Sequence, residues 1–292
     1  MSTDQQWDIV SGVGMTALMV AAARAVESDS PGALVRDPYA ARFVETARPA
    51  FALPTTAAGA RGSGAAQAAM WEVLRINLAV RTHAFDSFLR EAVGRGAAQV
   101  VLLASGLDTR AFRLPWPPGL VCFELDQPAV LDFKLRVLEA EGAEPTCDHR
   151  PVGVDLRDDW VAALGASGFD PARPTAWLAE GLLSYLPPED ERRLLHDVHR
   201  LSAPGSALAV ESIQDMAGVL TDAGMTEGMR AIGIDLPRLV HTDDRPAPDA
   251  QLDELGWNTD RSTASRAAAE HGYAVADDSF MGRILHVSAR RS

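Results

Sequence analysis

Residues 100–126 read VVLLASGLDTRAFRLPWPPGLVCFELD. Val100–Leu103 is wholly apolar, and a second run, Leu120–Leu125, is apolar apart from Glu124. Short continuous runs of this kind suit strands covered on both faces of a parallel sheet. Between them lies a loop of mostly small and polar residues, Ala104-Ser105-Gly106-Leu107-Asp108-Thr109-Arg110. In open α/β sheets, loops at the carboxyl ends of strands bind ligands. Gly106 allows a ligand to come close to the backbone. Asp126, at the tip of the second run, can accept hydrogen bonds from both hydroxyls of a ribose. Alone, Gly106 reads equally well as a turn glycine and Asp126 as a helix N-cap. Together, and in this order, they point to a ligand that contains a nucleoside.

Outward from this stretch the chain keeps a βαβ rhythm. Strands are expected at 100–104, 120–125, 151–154, 175–180 and 206–213, with helices at 129–140, 157–164 and 188–201. Pro188, Glu189 and Asp190 supply the proline and acidic residues favoured in a first helical turn. Five strands alternating with helices predict an α/β fold with a doubly wound, mostly parallel sheet. Residues 214–256, rich in Gly, Met, Asp and Pro, break the rhythm and read as a partly helical insertion. A helix over 260–271 and strands at 273–277 and 283–289 follow, the last two close enough for an antiparallel hairpin. Such a hairpin on a parallel sheet is the arrangement of class I methyltransferases.

On the amino-terminal side, 15–27 reads as an alanine-rich helix carrying Arg24, 36–39 as a turn and 39–47 as a short helix. Residues 52–69 are small, glycine-rich and low in complexity, which predicts a mobile loop or lid. Over 70–93, Met70, Val73, Leu74, Leu78, Phe85, Phe88 and Leu89 recur at helical spacing, and Gly94 and Gly96 end the helix. The expected organisation is a helical cap or lid over 1–69 and a ligand-binding domain over 70–292, with the insertion at about 214–256.

The chain has 292 residues and a net charge of −13. So acidic a surface argues against nucleic acid and against anionic membrane as partners. Cys122 and Cys147 fit no metal spacing, and His196 and His199 have no third ligand, so no metal is expected. The apolar stretch 13–23 is too short to span a bilayer, and the first residues lack a basic leader region, which predicts a cytoplasmic protein.

The sequence holds no G-x-G-x-x-G after the first strand, no P-loop and no G-x-S-x-G nucleophile motif. Polar residues do stand at the ends of successive strands: the 105–110 loop, Asp126, Asp155 and Glu180. The segments VVLLASGLDTRAFRL, FELDQPAVLDFK, VGVDLRDDW and PTAWLAEGLLSYLPPEDERRLL, together with VGMTALMVAAARAVE and DPYAARFV, resemble the leucine carboxyl methyltransferase-like family. The resemblance is closest to its actinobacterial branch and covers nearly the whole chain. ASGLD stands where the eukaryotic members have GAGxD, so Ala104 replaces a glycine.

The resemblance implies a Rossmann-like class I methyltransferase fold with S-adenosyl-L-methionine as cofactor. Ala104, Ser105, Gly106 and Asp108 would pass beneath its methionine moiety, and Asp126 would hold the ribose. Asp155 and Leu156 would flank the adenine, and Glu180 would lie near the amino acid portion. Arg24 and Arg81 match basic positions that hold the cofactor carboxylate or face the substrate. The implied reaction is O-methylation of a small-molecule acceptor, a carboxylate ahead of a hydroxyl. Arginines 24, 75 and 81 are candidates for a site that binds an acid. A nicotinamide-dependent oxidoreductase and a cofactor-binding regulator without transfer activity are the alternative readings.

Overall fold

In the computed structural model, which describes residues 9–292 (the side chain of Ala223 excepted), the two apolar runs are neighbouring parallel strands. The strands are β1 (Gln99–Leu103), β2 (Val121–Asp126), β3 (Asp148–Gly153), β4 (Thr175–Ala179), β5 (Ala207–Ile213), β6 (Trp257–Thr263) and β7 (Ile284–Arg291). They form one sheet in the order β3-β2-β1-β4-β5-β7-β6, with β7 antiparallel to both its neighbours and the other pairings parallel. This is the class I methyltransferase arrangement. The order reverses at β1, whose neighbours are β2 and β4, and the crevice for a ligand opens at such a reversal.

The helices are α1 (Gly12–Asp29), α2 (Ala40–Ala47), α3 (Ala57–Arg61), α4 (Ala65–Gly94), α5 (Arg110–Arg113) and α6 (Pro128–Ala140). After them come α7 (Trp160–Ala166), α8 (Pro188–Arg200), α9 (Met216–Thr221), α10 (Ala223–Ala231), α11 (Pro248–Glu254) and α12 (Ala264–Glu270). Alternation along β1 separates two cores. Val100 and Leu102 pack with α1, α2, α4 and α6 on one face. Val101 and Leu103 pack with α7, α8 and α11 on the other. No described helix is long and apolar enough to cross a membrane.

The structure corrects several sequence-based expectations. The antiparallel pair is 257–263 with 284–291, not 273–277 with 283–289, and α12 with its following loop connects the two strands. β6 is the polar stretch WNTDRST at the sheet edge, where a strand needs only one ladder partner and one covered face. Tyr273 and Val275 instead pack beside α12. The expected helix 260–271 therefore shrinks to 264–270, where the Thr263 side chain accepts a hydrogen bond from the Arg266 backbone. β3 begins at Asp148 rather than at 151, because its first residues are charged and lie at the opposite edge.

Residues 52–69 are not a featureless loop. Thr56 caps α3, Asp29 accepts a hydrogen bond from the Ala57 backbone at 2.9 Å, and α4 starts at Ala65 instead of 70. Alanine dominates this segment and favours helix once a cap and a packing surface are present. The insertion is partly helical, as expected, and contributes α9, α10 and α11.

Candidate active site

At the carboxyl ends of the parallel strands lies a cavity of about 740 Å³, and every candidate residue except Arg75 borders it. Small-molecule sites typically occupy about 300–1,000 Å³. The β1 loop forms the floor. Ala104 and Gly106 both adopt φ 51°, in the left-handed region. The loop thereby turns back, and the Gly106 N–H donates to Asp126 Oδ2 at 2.6 Å. Asp126 Oδ1 accepts from the Gln127 N–H at 2.7 Å. Burial pushes the Asp126 carboxyl up in spite of these two donors. Each of its oxygens keeps lone-pair capacity for a further donor.

Beneath the loop is a wholly buried ion pair that the sequence reading did not anticipate. Lys134 Nζ lies 2.7 Å from Glu124 Oε2 and 3.5 Å from Ser105 Oγ, and His149 Nε2 meets the same Glu124 oxygen at 2.8 Å. Burial alone would raise the Glu124 carboxyl, but the Lys134 charge and the His149 ring outweigh it and hold it at about 2.

The far wall is a layer of interlocked charges. Glu180 accepts from Arg110 Nη1 at 2.7 Å and stands 2.7 Å from Arg81 Nε. The Arg81 contact lacks hydrogen-bond alignment and is a pure charge contact. Arg81 Nη1 donates to Glu211 Oε2 at 2.8 Å. Arg110 also bonds Asp86 Oδ1 at 2.7 Å and the Asp108 carboxylate, and Arg113 grips Asp86 with two bonds of 2.6 and 2.8 Å. Burial opposes ionisation of Glu180, yet Arg110 and Arg81 hold it at about 2. Glu211 goes the other way: burial, helped by the neighbouring Glu180 charge, pushes its carboxyl up in spite of Arg81.

Arg24, read from sequence as a basic position for an anion, is already engaged. Its Nε meets Asp37 Oδ2 at 2.9 Å and its Nη2 donates to the Leu107 carbonyl at 2.6 Å. Thr109 Oγ1 donates to the same Asp37 oxygen at 2.9 Å, so α1, the 36–39 turn and the β1 loop meet at one carboxylate. Asp155 sits at the rim with Arg157 on its carboxylate at 2.6 and 2.9 Å. Arg75 is a correction. It is not on the cavity; it pairs with Glu27 at 2.5 Å and Glu72 at 2.7 Å and lies over the Tyr273 ring. Residues 52–69 do not border the cavity either, and the covering comes from α1 and the 214–240 part of the insertion.

The residues that sequence reasoning missed are Asp37, Asn77, Asp86, Arg113, Glu124, Lys134 and Glu211, and it placed Arg110 in the loop without its partners. A signal did exist for Asp86, Glu124 and Lys134, each a charge among core-facing apolar positions, which demands an opposite charge nearby.

The donor set fits S-adenosyl-L-methionine. Among the described residues, five carboxylates (Asp108, Asp126, Asp155, Glu180, Glu211) border the cavity against three guanidiniums (Arg24, Arg81, Arg157). An excess of acid suits a cofactor that carries a sulfonium and an ammonium. The loop of Ala104–Asp108 and the end of β2 present backbone and carboxylate to one another with room above them.

Comparison with known proteins agrees. The sequence model of the family described as leucine carboxyl methyltransferase matches residues 17–199. A protein of Saccharopolyspora erythraea is 49% identical over 92% of this chain and 91% of its own length, and its name is "Putative S-adenosyl-L-methionine-dependent methyltransferase". A relative of similar name from Mycolicibacterium smegmatis is 44% identical over 98% of each chain. Among solved structures, a DUF574 family protein of Streptomyces avermitilis shares the fold with a TM-score of 0.56 at 14% identity, covering 95% of this chain and 97% of its own. A protein from Thermobifida fusca does so with 0.53 at 16% identity, covering 92% and 94%. With a family match spanning most of its length and relatives this similar end to end, the chain belongs to the leucine carboxyl methyltransferase family.

Proposed function

We propose that this S-adenosyl-L-methionine-dependent methyltransferase methylates a carboxylate oxygen of a small-molecule acceptor. The observation that carries the reading is the make-up of the cavity wall. No histidine, lysine or cysteine borders the cavity among the described residues, and all five of its carboxylates are tied up in ion pairs with arginine or hold the loop. An acceptor that is already ionised at neutral pH needs no general base, so such a wall is sufficient for it.

The bound cofactor supplies an activated methyl group on a sulfonium. The chain supplies binding, alignment and exclusion of water. Asp126 would accept from the ribose, Asp155 and Leu156 would hold the adenine, and the Ala104–Asp108 loop would hold the methionine part. Glu180, with Arg81, would hold the amino acid end. Helix α1 and the insertion close the site against solvent.

A hydroxyl acceptor is the second reading. Glu211 borders the cavity with a carboxyl raised by burial, the property of a carboxylate able to take up a proton. Methyl-labelled cofactor and a library of acids, alcohols and phenols decide between the two. A carboxyl methyl ester releases volatile labelled methanol in mild base, and a methyl ether does not. Base-stable label in the favoured product rejects the carboxylate. The cofactor assignment has its own test. Asp126→Ala should leave the circular dichroism spectrum intact and weaken S-adenosylmethionine about ten- to hundredfold in calorimetry, through loss of charge-assisted hydrogen bonds. Unchanged affinity rejects the ribose role.

A further inference from the structure

The cavity has two unlike halves. The half over the ends of β1, β2 and β4 is the polar, acid-rich one described above. The half enclosed by α1, α4 and the insertion is apolar. Met19 from α1, Met216 from α9, Met225 and Met229 from α10, and Ile234 and Leu239 beyond it, all border this part. Four of the chain's eight methionines are therefore gathered on one cavity. Resting on the carboxylate reading above, we infer that the methyl acceptor is a carboxylic acid with a substantial apolar body. Its body fills the methionine chamber and its head group is held by Asn77.

Asn77 is the second observation. Leu74, Asn77, Leu78 and Arg81 follow one another at helical spacing on α4 and all border the cavity. Asn77 is only 4% exposed, and its Oδ1 has no hydrogen-bond partner. Buried side-chain polar atoms are nearly always paired, so an orphaned oxygen on an amide that borders the cavity means that no protein partner fixes which way this amide is turned. An amide serves either polarity, because turning it over exchanges its carbonyl for its NH₂. Toward a carboxylate it offers the NH₂.

The remaining groups narrow the acceptor further. Each arginine on the cavity already faces a carboxylate: Arg24 with Asp37, Arg81 with Glu180 and Glu211, and Arg157 with Asp155. A second or third acidic group on the acceptor would enter the apolar half with no cation to meet it, at a large desolvation cost. With a single neutral amide at the head, discrimination falls to the body. Methionine side chains are unbranched and adapt to irregular shapes, so the chamber should accept a range of tails rather than one rigid outline.

The test uses the full chain and a series of unbranched monocarboxylic acids of increasing length, with short dicarboxylic acids and long-chain alcohols as controls. Affinity is read by calorimetry on protein saturated with S-adenosylhomocysteine, and turnover by base-labile label. Each added methylene should tighten binding by about three- to fourfold until the chamber is full. Asn77→Ala should raise the KM of the acid about tenfold while the affinity for S-adenosylhomocysteine stays unchanged. Asn77→Asp, which sets a like charge against the acceptor, should raise that KM further. Met225→Glu should abolish the length dependence. Turnover of short dicarboxylic acids equal to that of long monocarboxylic acids overturns the apolar chamber and leaves carboxylate methylation standing. Length-dependent binding with base-stable label overturns the acid head group together with the reading on which it rests. Loss of S-adenosylhomocysteine affinity in Asn77→Ala overturns the role given to Asn77. The length series on the unaltered protein needs no variant to fold.

Discussion

Ala104 holds φ 51°, a conformation that L residues other than glycine occupy at a cost of about 1–2 kcal/mol. The conformation persists because the loop is held from several sides: Gly106 N–H on Asp126, Ser105 N–H on the Leu125 carbonyl at 3.0 Å, and Arg24 on the Leu107 carbonyl. Strain of this kind collects at ligand sites, where the surroundings over-determine the backbone. Ala104→Gly should relieve it, less the extra backbone entropy that glycine brings to the unfolded chain, about 0.5–1 kcal/mol. The expected net gain is about 0.5–1 kcal/mol, or a rise in Tm of about 1–3 °C, read by scanning calorimetry. A fall in Tm would mean that the alanine methyl makes contacts worth more than the strain. In the sequence, the alanine stands where the resemblance puts a glycine in the eukaryotic members. Only the backbone angle shows that the position still takes a glycine's conformation.

Between residue and fold lies α5, a single turn of helix that no periodicity could reveal. It carries Arg110 and Arg113 into contact with Asp86 of α4, and Arg110 also reaches Asp108 of the β1 loop and Glu180 at the end of β4. These partners stand up to 70 residues away in sequence, so spacing along the chain carries no trace of them. The strand ends, by contrast, were legible, because a short apolar run followed by small and polar residues is itself the signal of a buried strand meeting a site. That is why Asp126 and Glu180, which border the cavity, stand out in the sequence and their surroundings do not. Edge strands β3 and β6 were misplaced for a related reason: they are only half covered and carry charge, so they lack the apolar run.

Arg110→Met should uncover how much α5 holds. It leaves buried carboxylates of Asp86 and Glu180 short of a partner, a change that typically costs about 3–5 kcal/mol. Thermal unfolding followed by circular dichroism should show a Tm lower by about 6–15 °C. Arg110→Lys should recover only part of this, since one ammonium cannot bridge groups that a planar fork reaches in several directions. Full recovery by lysine would show that charge alone, without the fork, joins these elements.

For the molecule as a whole, buried ionisable groups set its response to acid, and they act in separate windows. His286 on β7 lies 5.2 Å from the Phe85 ring, centroid to centroid, and neither of its ring nitrogens has a hydrogen-bond partner. Burial, aided by the Arg81 charge, lowers it from 6.5 to about 4. The unfolded chain therefore binds a proton here before the folded one does, and stability falls as the pH drops from about 6.5 to about 4. Glu124 and Glu180, lowered from 4.5 to about 2, contribute stability that is complete above about pH 4.5 and lost as the pH falls towards 2. Asp126 and Glu211, whose carboxyls are raised from 3.8 and 4.5, work in the opposite direction: the folded state takes up their protons first, so they add stability as the pH falls towards those ordinary values and offset part of the first loss rather than the second. The two phases can be separated with one substitution. His286→Phe places an apolar ring against Phe85 and removes two orphaned polar atoms, which should stabilise the protein by about 1–3 kcal/mol at pH 5. It should also flatten Tm against pH between about 6.5 and 4 while leaving the fall between 4.5 and 2 in place. A variant whose Tm declines as steeply as the parent's from pH 6.5 to 4 would show that another group takes up the proton in that window.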